Sequence, residues 1–141
     1  MQKLFSLNRI IVLFLSIGLL VLAFEVFLQH YDKLFERRPM WIPIIFGSVG
    51  GLIGLFISII FNRVSYYLFL LLMVLSIAVG TLGLYFHNSW RFPLILSSIT
   101  GGEPISIEFF TTNPPLLAPS AFIAMGGLGI LIAFFLSWKN N

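Results

Sequence analysis

The chain contains 141 residues, of which 59% are hydrophobic and only 9% are charged. A soluble domain of this size carries about a quarter charged residues, so the composition excludes water as the main solvent. The net charge of +3 includes eight Lys and Arg residues scattered along the chain, and without a basic cluster nucleic acid is excluded as a partner. The sequence has no cysteine, which excludes disulfides, thiolate metal ligands and a cysteine nucleophile.

Long apolar runs predict four transmembrane helices, at about residues 10–29, 41–61, 66–86 and 116–138. Roughly 20 helical residues, at about 1.5 Å each, cross a hydrocarbon core of about 30 Å. Backbone amides in lipid must be satisfied within a helix or a closed barrel, and these runs lack the alternation of barrel strands. The predicted fold is therefore all-α, an up-down bundle of four transmembrane helices in a single domain, residues 1–141.

The first run is predicted to be an uncleaved membrane span. Lys3 and Arg9 precede it as in a signal peptide, but the apolar character continues past the possible cleavage site at Ala23. Lys and Arg are tied at four on each side of the predicted bundle. We expect both termini in the cytoplasm, because the amino terminus adds a positive charge there and the acidic loop residues lie on the opposite side.

Glu25 is the one charged residue within the four predicted spans. An ionised carboxylate there costs on the order of 2–3 kcal/mol, so it needs a partner or a proton. At about 100° per residue, Gly18, Leu22, Glu25 and Gln29 share one helix face, and Glu25 is expected to face the bundle interior. Two interpretations remain open: a carboxylate that only hydrogen-bonds near headgroup water, or one that binds a proton or a ligand.

Glycines in every predicted span indicate close contacts between helices, because they remove side chains that would keep two backbones apart. In the third span, Ser76, Gly80, Gly83 and His87 form one stripe at helical spacing. Packing within the bundle and docking of a partner helix are both compatible with such positions. The predicted packing residues are Gly18, Gly47, Gly50, Gly51, Gly54, Gly80, Gly83, Gly126 and Gly127.

The third connection, residues 87–115, is too long for a simple turn. Apolar segments at 94–99 and 105–110 flank a Thr-Gly-Gly-Glu-Pro sequence, and this pattern predicts a short β-hairpin. A lone hairpin is only marginally stable in water, so we expect it to lie over the bundle or against a partner.

His30 and His87 are expected at the same membrane face, because the first and third spans run in the same direction. Glu25 would lie about 7 Å deeper by helical rise, although it stands about 140° around the helix from His30. With Glu108, these residues are compatible with a histidine and carboxylate metal site, and the two histidines alone with haem ligation. Interfacial histidines also serve as plain hydrogen-bonding groups, so this alternative stays open.

The leading functional hypothesis is a structural or accessory subunit that binds membrane lipids and either a larger membrane partner or a second copy of itself. Its small size and scarce polar groups favour that role. Two alternatives use Glu25, Gln29, His30, His87 and Glu108: a bundle that binds haem, a divalent metal or a quinone, and a small proton-coupled transporter. We expect no catalytic activity of its own, because no nucleophile triad or phosphate-binding loop is present.

Overall fold

A computed structural model describes residues 2–36, 38–60, 62–89, 91–102 and 119–138. Over these residues the regular structure is entirely helical, which confirms the all-α prediction for this part of the chain. Short 3-10 turns, Tyr31–Lys33 and Arg38–Met40, connect the first two helices. The described residues form five α-helices, which in chain order are α1 (Gln2–His30), α2 (Trp41–Ile59), α3 (Arg63–Asn88), α4 (Arg91–Gly101) and α5 (Ser120–Trp138).

Among the described residues, three helical segments are long and apolar enough to cross a membrane: Leu7–Lys33, Arg38–Ile59 and Arg63–Asn88, with 27, 22 and 26 residues. These segments contain most of α1 and all of α2 and α3, and they extend beyond the runs predicted from hydropathy at most of their ends. The apolar stretch of α5, Ser120–Phe135, is shorter. Three spanning helices are typical of a membrane protein.

Helices α1 and α2 form an antiparallel pair whose contact depends on the glycines of α2. A methyl group at Gly47 would lie 2.8 Å from the Leu19 carbonyl oxygen and 2.9 Å from Cβ of Ala23. One turn further along α2, the same group at Gly51 would lie 3.0 Å from the Ser16 carbonyl oxygen. The two backbones therefore approach more closely than any larger residue would permit.

Helices α3 and α5 form the second antiparallel pair. The stripe on α3 lies against the start of α5, where a methyl group at Gly83 would lie 2.7 Å from Cβ of Pro119. The buried Ser76 hydroxyl donates to the Phe122 carbonyl oxygen at 2.8 Å. On the α5 side, a methyl group at Gly126 would lie 2.5 Å from the Met73 carbonyl oxygen. An interhelical hydrogen bond thus accompanies the close backbone contact.

The core lies where the two pairs meet. Leu19 of α1 and Met73 of α3 are completely buried, and Phe122 of α5 is nearly so. Phe46 of α2 contacts Phe122 edge to face, with ring centroids 6.1 Å apart. Large apolar side chains also cover the outer surfaces of the helices, as expected where lipid replaces water. Among them are Phe14, Val21, Phe24, Phe56, Leu71, Val74, Leu131 and Phe135.

The strand predicted at residues 94–99 is wrong, because these residues lie inside α4. Short apolar runs do not distinguish a strand from a helix by themselves. In the helix, Ser97 donates to the Leu94 carbonyl oxygen and Thr100 to that of Leu96, both at 2.9 Å. Gly102 follows with φ +69°, a left-handed conformation that is common just after a helix end. The second predicted strand, 105–110, lies outside the described residues.

One of the predicted packing glycines differs from the others. Gly18 lies beside Met125, and Gly50 lies beside Leu72. Gly54 lies beside Ser16, and Gly80 lies beside Ile123. A methyl group at Gly127, in contrast, would meet nothing within 4 Å among the described residues.

This difference between neighbouring positions gives a stability test. Gly126→Ala forces a methyl group against the Met73 backbone and is expected to lower the free energy of unfolding by about 1–3 kcal/mol. Gly127→Ala adds the same group in open space and is expected to be neutral or to stabilise the helix by up to about 1 kcal/mol. Denaturant unfolding in detergent micelles measures both. Equal losses for the two variants would contradict the observed α3–α5 contact.

Candidate ligand-binding site

A cavity of about 1170 Å³ opens where the last turns of α1 and α3 face the first turn of α2. We call it the α1–α3 cleft. Its volume is slightly above the range of about 300–1,000 Å³ that is typical of pockets for drug-sized ligands. Its apolar wall includes Leu22, Val26, Val79, Leu82, Phe86 and Phe122, and its polar residues include Glu25, Gln29, His30, His87, Asp32, Lys33, Glu36 and Arg38.

Glu25 and Gln29 lie on the wall of this cleft, one helical turn apart. The Gln29 Nε2 amide donates to Oε1 of Glu25 at 3.0 Å. Both side chains are exposed and line the cleft between the helices. The face of α1 that includes Ser16 and Ala23 packs on α2, and Glu25 stands about 200° around the helix from Ala23. The contact that brings α1 and α2 together therefore turns the carboxylate away from α2.

His30 and His87 contact each other directly. Their ring centroids lie 5.8 Å apart and the ring planes meet at 60°, which is an edge-to-face arrangement. The His30 Nδ1 atom lies 2.9 Å from the Val26 carbonyl oxygen. A carbonyl oxygen only accepts, so Nδ1 carries a proton, and Nε2 of the neutral ring is an acceptor. The last residue of α1 is thus held in a defined orientation beside the last turn of α3.

The charged residues around the cleft nearly cancel. Asp32, Glu36, Lys33 and Arg38 lie on the turns between α1 and α2, and all four are exposed. They are two acids and two bases. With neutral histidines, the described residues that line the cleft have a summed formal charge of −1, and Glu25 is the charge without a counterpart among them.

The described residues bring together a hydrogen-bonding pocket rather than a metal site. Among them, no group of three or more His, Asp or Glu side chains is placed to hold a metal ion. His30 and His87 form a pair in contact, whereas Glu25 is engaged with Gln29. Glu108, the fourth residue of the predicted set, lies outside the described residues. The metal hypothesis gains no support from this part of the chain.

Arg91 is a charged residue whose position the sequence analysis missed. It begins α4 and is completely buried, and its Nη1 atom donates to Oδ1 of Asn88 at 2.9 Å. This contact ties the first turn of α4 to the last residue of α3. In the sequence, Arg91 looks like an ordinary loop cation, and no pattern separates it from the exposed cations elsewhere.

Comparison of the chain with protein-family models, with curated proteins and with solved structures gave no match. Any function must therefore be argued from the cleft and from the helices that form it.

The contact between the two histidines is directly testable, because the chain has no native cysteine. In a His30→Cys/His87→Cys double variant, a short thiol-specific crosslinker is expected to join α1 and α3 in nearly every molecule. The control is His30→Cys/Tyr67→Cys, in which the second thiol lies near the opposite end of α3. Crosslinked protein is identified by a peptide that contains both helices after proteolysis. Similar yields from both pairs would contradict the arrangement of α1 and α3.

Proposed function

We propose that the chain crosses a membrane four times, with α5 as the fourth span and both termini in the cytoplasm. Three helices of sufficient length support a membrane location. The 19 residues of α5 extend about 28 Å at the helical rise. It is antiparallel to α3 along most of its length, from the Gly83–Pro119 contact to the hydrogen bond from Tyr66 to Ala133. These directions support the proposal of an up-down bundle with four spans.

This topology predicts which positions share a side of the membrane. Single cysteines at Lys33 and Ser89 are expected to react with a membrane-impermeant maleimide from the non-cytoplasmic side. A cysteine at Arg63, at the start of α3, is expected to react only from the cytoplasmic side. The measurement uses sealed right-side-out and inverted vesicles. Reaction of the Lys33 and Ser89 variants from opposite sides would contradict the topology.

The biochemical role that we propose is the binding of an amphiphilic small molecule in the α1–α3 cleft. The observation that supports it is the combination, in one cavity, of an apolar wall with Glu25, Gln29 and two contacting histidines. Ligand pockets typically have this composition, with a few convergent polar groups in an apolar surround. The cleft lies at the ends of two spans, where a molecule dissolved in the membrane would enter with its chain along the helices.

Polar contacts would supply the selectivity of such a site. A hydrocarbon chain gains little on moving from lipid to an apolar wall, because lipid is equally apolar. A hydrogen bond to a charged group in a partly dry cleft, in contrast, contributes about 1.5–3 kcal/mol. The polar residues of the cleft are therefore expected to determine which head group binds, and the apolar residues to determine the length and shape of the ligand's chain.

The proposal predicts that filling the cleft removes a co-purifying molecule. Protein isolated in mild detergent is extracted with organic solvent, and the extract is analysed by mass spectrometry. Val79→Trp places a large side chain in the cleft and is expected to lower the recovered amphiphile at least tenfold. Val74→Trp is the control on the same helix, since Val74 is exposed and does not line the cleft. An amphiphile equally abundant in both variants, or absent from the unmodified protein, would contradict the proposal.

A second candidate is the accessory-subunit role, and Gly127 is the observation that favours it. Most glycines of the predicted packing set are covered by helices of the same chain, so they do not offer surfaces to a partner. Gly127 is open among the described residues, and the neighbouring Leu128 and Leu131 are exposed. A helix of another membrane protein would approach the backbone closely there.

Co-purification tests this second candidate. Gly127→Leu is expected to leave folding intact and to abolish recovery of a partner in mild detergent. Val21→Ala, which shortens an exposed side chain on α1 away from this surface, is the control. A protein that purifies alone, with or without the Gly127 substitution, would contradict the subunit role.

A further inference from the structure

The polar atoms facing the α1–α3 cleft are mainly hydrogen-bond acceptors. An ionised carboxylate only accepts and has room for about four hydrogen bonds, of which the Gln29 amide takes one at Glu25. The Nδ1 proton of His30 is used within α1 by the Val26 carbonyl oxygen, so its neutral ring offers an acceptor at Nε2. The Gln29 carbonyl oxygen is a further acceptor. A ligand that brought only acceptors would leave these groups without donors.

The donors around the cleft lie mainly at its rim. Lys33 and Arg38 are exposed on the turns between α1 and α2, and among the described residues of these turns Asp32 and Glu36 equal them in number. Glu25 lies about 12 Å deeper than Lys33 by helical rise. The order from the rim inward is therefore a nearly neutral set of charges, then a single carboxylate, then the apolar wall with Leu22 and Val79.

This order discriminates between classes of ligand head. A phosphate or carboxylate head would bring a second negative charge to Glu25, and a quinone head would set carbonyl oxygens against acceptors. The first arrangement sets like charges against each other and the second sets acceptors against acceptors, so both are unfavourable. A primary ammonium brings three donors and one positive charge to the level where acceptors and negative charge are concentrated.

From this geometry we infer that the α1–α3 cleft binds amphiphiles with a primary ammonium head, which pairs with the Glu25 carboxylate while the chain lies along the apolar wall. The inference rests on the proposed ligand-binding function and names its ligand class. The head lies at Glu25 and the chain points inward, so no second polar group is needed beyond the ammonium. This arrangement fits a single-chain amine better than a phospholipid, whose phosphate lies between its ammonium and its chains.

The test measures binding of radiolabelled dodecylamine by equilibrium dialysis against the full chain in phosphatidylcholine nanodiscs. At pH 7 an alkyl amine is protonated, since its pKa is close to the ordinary lysine value of about 10.4. Empty nanodiscs correct for partition into lipid. Dodecanoate and dodecanol, with the same chain but an anionic or a neutral head, are tested as competitors.

Saturable binding of dodecylamine is expected, with dodecanoate and dodecanol competing at least tenfold more weakly than unlabelled dodecylamine. Glu25→Gln is expected to weaken dodecylamine binding roughly ten- to hundredfold, the usual effect of losing a charge-assisted hydrogen bond. Arg63→Gln removes a charge at the opposite end of α3, outside the cleft, and is expected to change binding less than about threefold, because exposed charges interact weakly.

Other outcomes separate the inference from the function on which it rests. If dodecanoate or dodecanol binds as tightly as the amine, or if Glu25→Gln has no effect, the ammonium inference is wrong while the cleft still binds amphiphiles. If no probe binds saturably, or if binding is unaffected by Val79→Trp, both the inference and the ligand-binding function are wrong. Competition by phosphatidylethanolamine in the nanodiscs would support the ammonium chemistry and identify a lipid as its source.

Discussion

Close backbone contact at glycine sets the relative heights of the long helices, and the rest of the structure depends on it. Helices gain little from burying apolar side chains when the surrounding lipid is equally apolar, so dispersion over tight contacts and interhelical hydrogen bonds must hold them together. Gly47 and Gly51 provide such contacts between α1 and α2, and Gly83 and Gly126 provide them between α3 and α5. The buried hydrogen bond from Ser76 to Phe122 adds a directional interaction to the second pair.

These contacts also explain why a cleft exists. Pro119 lies against Gly83, so α5 begins about one turn short of His87, and the described part of α5 leaves the last turns of α1 and α3 uncovered. Polar residues at the ends of two parallel helices thereby line an open space instead of a packed core. The same arrangement brings His30 and His87 into contact, because these residues lie at the ends of α1 and α3, which run in the same direction. Packing at the glycines and polarity at the cleft are thus two results of one set of helix positions.

Much of this arrangement was predictable from the sequence. The lengths of the apolar runs indicate three of the helices, and the order of the runs along the chain indicates that successive helices alternate in direction. The stripe from Ser76 to His87 indicates a contact face, and helical rise alone places Glu25 below His30. The sequence does not predict whether a position is covered when that depends on where a neighbouring helix lies. Gly126 and Gly127 are adjacent and chemically identical, and only the position of α3 decides that one is covered and the other open.

The wrong strand prediction at α4 and the exposure of Glu25 both depend on neighbouring elements. A short apolar run is compatible with a strand or a helix. At residues 94–99 the helix is favoured by hydrogen bonds within α4 and by the hydrogen bond from Arg91, at the start of α4, to Asn88 of α3. On the face shared by Gly18 and Glu25, Gly18 lies against Met125 of α5. A helical-wheel argument assumes that a packed face stays packed along its whole length. The described part of α5 leaves Glu25 exposed, and the carboxylate lines the cleft.

The central claim is that polar space extends along α1 to the level of Glu25 on one side of the helix, with lipid on the other. Electron paramagnetic resonance with single spin labels at Val26 and Phe24 tests it most directly, since these positions flank Glu25 at nearly equal depth. Val26 lines the cleft, and Phe24 is exposed outside it. In bilayers, the label at Val26 is predicted to relax faster with a water-soluble nickel complex, and the label at Phe24 with oxygen dissolved in lipid. Equal responses of the two labels to both reagents would contradict the account.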